Sequence, residues 1–415
     1  MFLDNYHYLK NKEIYISILL FLFSFFSRIP VIILFGDTSL EYEWLYLVSN
    51  LIEHGQLVYQ TFDNGFLLPN LWMPPLYAYY LYIFSFFNLE NQNYIFLVLV
   101  TQIVLASISV IIFYKINKLF FSRKISFFSS LIFSLFPLHL YACSQISSIS
   151  LQTFLSIFFI YFFLQITNKK DLLSVIYFSI TAGLLILLRG EFWFIFLLTL
   201  LYLFLFLKIK MKKILLIASI SLIITSPYLI RNFLIFEKIT VLQSLGYNLW
   251  KGNHPLAKEN SIVEGVETTN ENILEQIDAL KIDKYYRIKW DGFFLDLAIK
   301  NLKEDPPGHL IFYFKKITSY IFINFRSHDP RYWNPLHFIP LLLFGITSLI
   351  GIILSDKKSR QLNYLILLFF VNVGIFSTFS IMPRYKLVIL PLQIIFTNVL
   401  IKRIKEKFFN RGKNN

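Results

Sequence analysis

The sequence predicts an all-α polytopic membrane protein of about ten to eleven transmembrane helices, with interfacial helices in its external loops. Three observations predict it. The 415 residues are 56% hydrophobic and 19% aromatic, with a mean hydropathy of +0.59, a composition that soluble globular domains do not carry. Apolar runs long enough to cross a hydrocarbon layer recur from end to end. The 39 Lys and Arg, which leave a net charge of +14, gather in short loops between those runs. That distribution orients membrane helices; it is not the basic face that nucleic acid needs, and no nucleic-acid partner is expected.

The apolar segments run over 14–35, 74–88, 94–114, 125–142, 149–166, 172–188, 190–207, 213–230, 336–354, 361–380 and 386–402. The first is too long for a cleaved signal peptide and lacks a small-residue cleavage site, so it reads as a retained helix. Basic groups stand at Lys10 and Lys12, at Lys115, Lys118, Arg123 and Lys124, at Lys169 and Lys170, at Lys208, Lys210, Lys212 and Lys213, at Lys357, Lys358 and Arg360, and along the tail from Lys402 to Lys413. The positive-inside rule puts all of them in the cytoplasm and the two long polar stretches, 36–73 and 231–335, outside. One conflict of parity follows. If both 74–88 and 94–114 cross, the basic loop at 115–124 falls outside. Segment 74–88 is short, opens with Pro74-Pro75 and is rich in Tyr, which suits a re-entrant or interfacial piece; otherwise the 115–124 loop breaks the rule. The chain then divides into an N-terminal transmembrane module, 1–230, a large external loop, 231–335, and C-terminal transmembrane helices with a basic tail, 336–415.

Within the large loop, Gly246, Gly252 and the nearby Asn residues suit tight turns that shape a rim. The stretch GVETTNENILEQIDALKIDKYYRIKWDGFFLDLAIKNLKEDPPG reads as one or two amphipathic helices with a solvated charged face. Residues 310–326, LIFYFKKITSYIFINFR, mix aromatics with Lys315, Lys316 and Arg326, as a helix lying in the interface plane would. The single Cys143 excludes an intrachain disulfide. The sequence has no Walker A loop, no HExxH and no Cys/His cluster, which argues against an ATP-driven pump and a zinc protease.

Candidate chemistry begins at Gly36-Asp37-Thr38-Ser39-Leu40-Glu41-Tyr42-Glu43-Trp44, where the first apolar run ends. If the loop starts a helix there, Asp37 lies near its N-terminus and Glu41 one turn later, on the same face. Together with Glu43 they read either as capping and solvated carboxylates or as a general base at the membrane surface, where partial burial tunes a carboxyl group. Trp72 and Tyr77, in Leu71-Trp72-Met73-Pro74-Pro75-Leu76-Tyr77, suit interfacial anchors or the border of a sugar site. Arg189 lies between two apolar segments, where an arginine costs about 2.5–3.5 kcal/mol on insertion scales and is expected to have a partner or a role; Glu191 is its nearest acid. Arg384 stands at an outer helix end against the charge rule, and Arg231 opens the large loop. Arg28, near the outer end of the first span, reads as a snorkelling side chain.

These residues together resemble a known family. The opening Gly36-Asp37, Glu41-Tyr42, the run Leu45–Gly55 and Pro74-Pro75-Leu76-Tyr77 resemble the first external loop of GT-C superfamily glycosyltransferases, nearest to bacterial relatives of protein O-mannosyltransferases and lipid A aminoarabinose transferases. Leu187-Leu188-Arg189-Gly190-Glu191 resembles the family's L-x-R-P break, with Gly190 in place of proline. Ser226-Pro227-Tyr228-Leu229-Ile230-Arg231-Asn232 and Gly246-Tyr247-Asn248-Leu249-Trp250-Lys251-Gly252-Asn253-His254-Pro255 resemble its P-W-x-I-R-N … G-x-N-L-x-x-G-N-x-P stretch, with Tyr228 in place of Trp. Pro383-Arg384-Tyr385-Lys386, with Pro391 after it, resembles the R-Y-x-x-P opening of a late span.

The resemblance implies a GT-C-type helical bundle in the cytoplasmic (inner) membrane with its active site facing outside. It implies transfer of a sugar from a polyprenyl-phosphate carrier to an extracytoplasmic glycan, lipid or protein. Asp37 is then the catalytic base, with Glu41 the nearest alternative. Arg384, Arg189 and Arg231 become candidates for the donor phosphate, since a planar guanidinium binds phosphate oxygens in pairs. Tyr42, Glu43, Trp72, Tyr77, Asn248, Asn253 and Tyr385 become the rim for sugar and acceptor. No metal is required, although Asp37, Glu41 and Glu43 are the carboxylates that Mg or Mn would use. The rival readings are a transporter or flippase for lipid-linked sugars, and an O-antigen ligase or polymerase.

Overall fold

The computed structural model describes residues 2–62, 65–88, 90–168, 171–260, 271–328 and 330–411. Lys169 and Lys170, residues 265–270 of the expected amphipathic stretch and the end of the basic tail lie outside the described residues. The chain is an all-α polytopic membrane protein. Among the described residues, six helices are long and apolar enough to cross a membrane.

The first half comprises α1 (Phe2–Phe35), α2 (Tyr42–His54), α3 (Pro75–Ser85), α4 (Asn91–Asn117), α5 (Arg123–Leu135), α6 (Pro137–Ala142), α7 (Ser148–Asn168), α8 (Leu172–Leu188), α9 (Phe192–Leu205) and α10 (Met211–Phe236). The large loop holds α11 (Leu245–Asn253), α12 (Pro255–Asn260), α13 (Glu271–Asp278), α14 (Tyr286–Glu304) and α15 (Pro306–Ile321). A short 3-10 turn (Pro330–Trp333) precedes α16 (Pro335–Ile353) and α17 (Arg360–Ser377). A 3-10 helix (Pro383–Val388) then leads into α18 (Leu390–Arg411). Between α2 and α3 the loop forms an antiparallel ribbon, β1 (Val58–Thr61) with β2 (Leu67–Pro69), in which Val58 faces Pro69 and Thr61 faces Leu67. The sequence reading did not anticipate this ribbon.

Helix ends follow local chemistry. The segment expected to run unbroken over 125–142 breaks after Phe136, held extended at φ −62°, ψ 122° because Pro137 follows it. Asp171 caps α8 through the Ser174 N–H at 2.8 Å. Asp305 caps α15 through the Gly308 N–H at 2.9 Å, with Pro306 and Pro307 in the first turn, where a missing N–H costs nothing.

The parity conflict resolves at α3. Its 11 residues rise roughly 16 Å, about half the hydrocarbon thickness, so α3 does not span. It lies instead against α2, α4 and α8. The two ends of the bundle are then distinct. At one, Glu13 on α1 pairs with Lys118 and Arg123 at 2.6 and 2.7 Å, and Gln361 bonds Thr167 at 2.7 Å. These contacts gather basic loops that the charge rule places together. At the other, Gln145 donates to Phe35 O at 2.9 Å, and Gln243 N–H to Leu71 O at 2.8 Å. The two long polar stretches therefore meet each other.

Within the bundle, α7 is central, with 78% of its apolar window buried, while α1 is peripheral at 17%. Apolar side chains such as Leu22, Phe26, Leu197 and Leu201 face outward, as a lipid-facing surface requires. The pair α16–α18 packs at the closest approach. A Cβ on Gly351 would fall on the carbonyl of Phe396, the arrangement that lets small residues bring membrane helices together. Gly351→Ala is expected to lower stability in detergent by about 1–3 kcal/mol through overpacking. Gly374→Ala, which meets only the Tyr313 hydroxyl at 3.6 Å, is expected to be neutral or slightly stabilising. Thermal midpoints of the two purified variants check the contrast.

Candidate functional site

A cavity of about 870 Å³ opens at the end of the bundle where the polar stretches meet. Its walls are α6 with the turn after it, the side of α15, the stretches 324–327 and 332–337, and the turn 380–384. Glu41 lines it, and so do Lys315, Lys316, Arg326, His337 and Arg384. Four Lys and Arg groups against one carboxylate favour an anion.

Asp37 sits beside this cavity, at the junction of α1 with the 144–146 turn. Its N–H donates to Ser144 O at 3.0 Å, and its Oδ2 accepts the Ile146 N–H at 2.6 Å. Its other oxygen, Oδ1, has no protein partner among the described residues. Partial burial raises the Asp37 carboxyl above its ordinary value, and the Ile146 N–H opposes that only in part. Gln145 on the same turn lines the cavity.

The turn is itself held from behind. Gln102 on α4 donates to Gln145 O at 2.9 Å, and Tyr77 on α3 donates to Gln102 Oε1 at 3.0 Å. Tyr77 is thus fully buried rather than at a rim. It belongs to the chain of hydrogen bonds that fixes Asp37. The sequence signal for this turn is the polar run Cys143–Ser148 between two apolar segments, to which no role was assigned.

The three expected phosphate arginines separate. Arg384 is exposed and lines the cavity. Arg189 stands behind it, donating through Nε to Gln152 Oε1 at 2.9 Å. Its nearest acid in sequence, Glu191, is not its partner. The guanidinium carbons of Arg189 and Arg384 lie 5.3 and 5.8 Å from the Tyr385 ring centre, so Tyr385 brings both to one place. Arg231 is elsewhere. It donates to Asn70 O at 2.6 Å, Asn232 Oδ1 at 2.7 Å and Leu57 O at 3.0 Å, so its fork is filled by the first long loop. Arg28 does not snorkel. It is fully buried, bonded to Ser24 and Ser134 and set 3.0 Å from His139 Nδ1.

The remaining rim candidates divide likewise. Asn253 bonds Lys316 Nζ at 2.9 Å at the cavity wall. Asn248 turns back onto Ser244 O at 2.7 Å. Tyr42 packs on Tyr46 with ring centres 4.4 Å apart, and Glu43 accepts from the Tyr59 hydroxyl at 3.3 Å. Trp72 packs against Tyr247 and Trp290. Arg287 lies over Tyr59 at 4.3 Å and Trp72 at 5.3 Å in the same cluster. This aromatic layer joins the ribbon to α14.

Asp37, Glu41 and Glu43 do not converge. Among the described residues no three His, Cys, Asp or Glu side chains group so as to hold a metal ion. The carboxylates expected to bind Mg or Mn do not fit a shared cation.

Comparisons with known proteins agree with this architecture. No protein-family model matches the sequence, and no curated protein matches it. Solved structures do match. The apo oligosaccharyltransferase of Archaeoglobus fulgidus aligns with a TM-score of 0.58 at 14% identity, over 97% of this chain and 52% of its own. Its form tethered to an acceptor peptide containing the NVT sequon aligns at 0.58 and 13%, over 96% and 50%. The chain has a GT-C fold. ArnT from Cupriavidus metallidurans bound to undecaprenyl phosphate aligns at 0.43 and 10%, over 93% and 76%. The chain spans about half the length of the oligosaccharyltransferase it matches.

In this GT-C fold Arg231 does the work of a clamp between the two external segments. Arg231→Gln removes a charged donor from two buried carbonyls and is expected to cost about 1.5–3 kcal/mol. Thermal unfolding, together with faster proteolysis between residues 57 and 70, would register the loss.

Proposed function

We propose that this chain is a glycosyltransferase of the cytoplasmic membrane, its cavity facing outside. It moves a sugar from a polyprenyl-phosphate carrier to an extracytoplasmic glycan, lipid or protein. The observation that carries this reading is the cationic cavity with two carboxylates at its edge, Glu41 on the wall and Asp37 beside it. A lipid-linked sugar phosphate must keep its tail among acyl chains while its head reaches water, and a cavity at a helical bundle's polar end suits that demand.

The reaction is a single displacement. Asp37 takes the proton of the acceptor hydroxyl or amine through its unpartnered oxygen. The acceptor's electron pair forms a bond to the anomeric carbon, the bond from that carbon to the phosphate oxygen breaks, and the pair leaves with the phosphate. Arg384, Arg326 and Lys315 hold the charge that gathers on the phosphate. Attack opposite the leaving group inverts the anomeric centre. Glu41 is the second candidate for the base, because it lines the cavity directly. The solved oligosaccharyltransferase has a form holding Zn and sulfate. Here no step is routed through a metal, because the carboxylates present do not fit one.

Lipid mass spectrometry tests the reading on membranes of cells carrying the wild-type chain, Asp37→Asn, Glu41→Gln or a deletion. The deletion and Asp37→Asn are expected to accumulate the same polyprenyl-phosphate sugar, with Asp37→Asn protein present at wild-type level. Accumulation with Glu41→Gln and not with Asp37→Asn moves the base to Glu41. A deletion that leaves transfer to every acceptor unchanged overturns the proposal. An Asp37→Asn protein that still translocates the lipid, with transfer unaffected, favours a flippase.

A pH prediction follows from burial of Asp37. A base works only when deprotonated, so activity falls as pH drops through its raised pKa. The acid limb of the rate profile is expected above the ordinary aspartate value of 3.8. A limb at or below that value would assign the proton to another group.

A further inference from the structure

Arg384 makes no hydrogen bond to any described residue, and its guanidinium lies over the ring of its chain neighbour Tyr385, 5.8 Å from the ring centre. Its place is set by its backbone. That backbone, from Thr378 to Lys386, is gripped at both ends by buried lysines. At one end Lys316 of α15 donates to Gly252 O at 3.1 Å, Asn253 Oδ1 at 2.9 Å and Thr378 O at 3.2 Å. Three acceptors match the three donors of an ammonium. Asn253 adds its own bond to Thr378 O at 2.9 Å. A Cβ on Gly252 would collide with the backbone of Phe379 and Ser380, so α11 presses directly on the segment. At the other end Lys386 donates to Ser319 O at 2.7 Å and Phe322 O at 2.5 Å, carbonyls that the end of α15 leaves unpaired. The Tyr320 hydroxyl completes the grip on Tyr385 O at 2.9 Å.

Both lysines are costly to keep. They are 5% and 2% exposed, and among the described residues neither meets a carboxylate. Burial pulls the Lys316 ammonium down to about 7. An apolar side chain would fill the same space without that cost, but it would leave the carbonyls unserved and the segment untied. Between the two anchors Ser380, Met382, Pro383 and Arg384 line the cavity.

We propose that Lys316 and Lys386 are positioning residues for Arg384, tying both ends of the 378–386 segment to α15 so that its guanidinium faces the cavity. The inference rests on the proposed donor site, in which Arg384 binds phosphate.

The test is a double-substitution cycle read by binding of undecaprenyl phosphate to the full chain in detergent. Thermal midpoints and size-exclusion profiles serve as folding controls. Arg384→Gln is expected to weaken binding about tenfold or more, the scale of a lost charge-assisted hydrogen bond. Lys316→Gln is expected to do nearly the same, and the double variant to bind no worse than Arg384→Gln alone, because residues that act through one another are not additive. Should Lys316→Gln fail to fold, Tyr320→Phe, which deletes only the hydroxyl bond to Tyr385, takes its place in the cycle with the same expected pattern. A Lys316→Gln or Tyr320→Phe effect that is absent, or that adds in full to Arg384→Gln, overturns the positioning role while the donor site stands. Wild-type binding by Arg384→Gln overturns the donor site itself.

Discussion

Backbone carbonyls with no helical partner govern the polar end of this bundle. Where helices break near a membrane surface, those carbonyls must be served by something other than the helix. Here partly or fully buried cations serve them. Arg231 fills its fork with Leu57 O and Asn70 O. Lys316 takes Gly252 O and Thr378 O, and Lys386 takes Ser319 O and Phe322 O. Each joins segments far apart in sequence, so the first loop, the large loop and the late turn become one wall. Lys315, Arg326 and Arg384 line the cavity in that wall together with Lys316.

Much of the bundle was legible in the sequence because apolar length and loop charge are read directly from composition. The ends of the spans, the gathering of the basic loops and the meeting of 36–73 with 231–335 all follow from those two signals. The failures have physical causes. Segment 74–88 is as apolar as a span, but its proline start and early stop at Ser85 leave it too short to cross. The β1–β2 ribbon has strands of four and three residues, too short to show a period of two. Arg28 looked like an interfacial side chain because its partners, Ser24, Ser134 and His139, come partly from helices more than a hundred residues away.

The site was legible in outline and not in its supports. The opening acids were singled out by residue type at the end of an apolar run, Arg384 by its place against the charge rule, and Tyr385 by the family resemblance alone. Tyr77 was singled out for the wrong position, since a tyrosine in a membrane sequence reads as an interfacial anchor whichever way it points. Gln102 and Gln145 carry no signal at all in sequence: a glutamine within or beside an apolar helix acquires meaning only when the carbonyl it meets is known. Lys315 and Lys316 were noticed as a charged pair in an aromatic helix. Their division, one exposed to the cavity and one buried beneath it, depends on which face of α15 meets α11 and α17.

The two candidate bases differ in surroundings more than in distance from the cavity. Glu41 shares its wall with several cations, and groups that attract a carboxylate also compete for the lone pair that must accept a proton. Asp37 is held by a single neutral amide, the Ile146 N–H, in a partly buried place that raises its affinity for protons. A carboxylate fixed through one oxygen and open at the other has an orientation without having its basicity spent on a counter-ion. In the proposed reaction that argument favours Asp37 over Glu41 as the group that takes the proton, with the cations set to serve the departing phosphate. The chain Tyr77–Gln102–Gln145 then matters to the chemistry although none of its first two members reaches the cavity. It fixes the turn whose amide aims Asp37, and a shift of that turn would move the base away from the acceptor while leaving every cation in place.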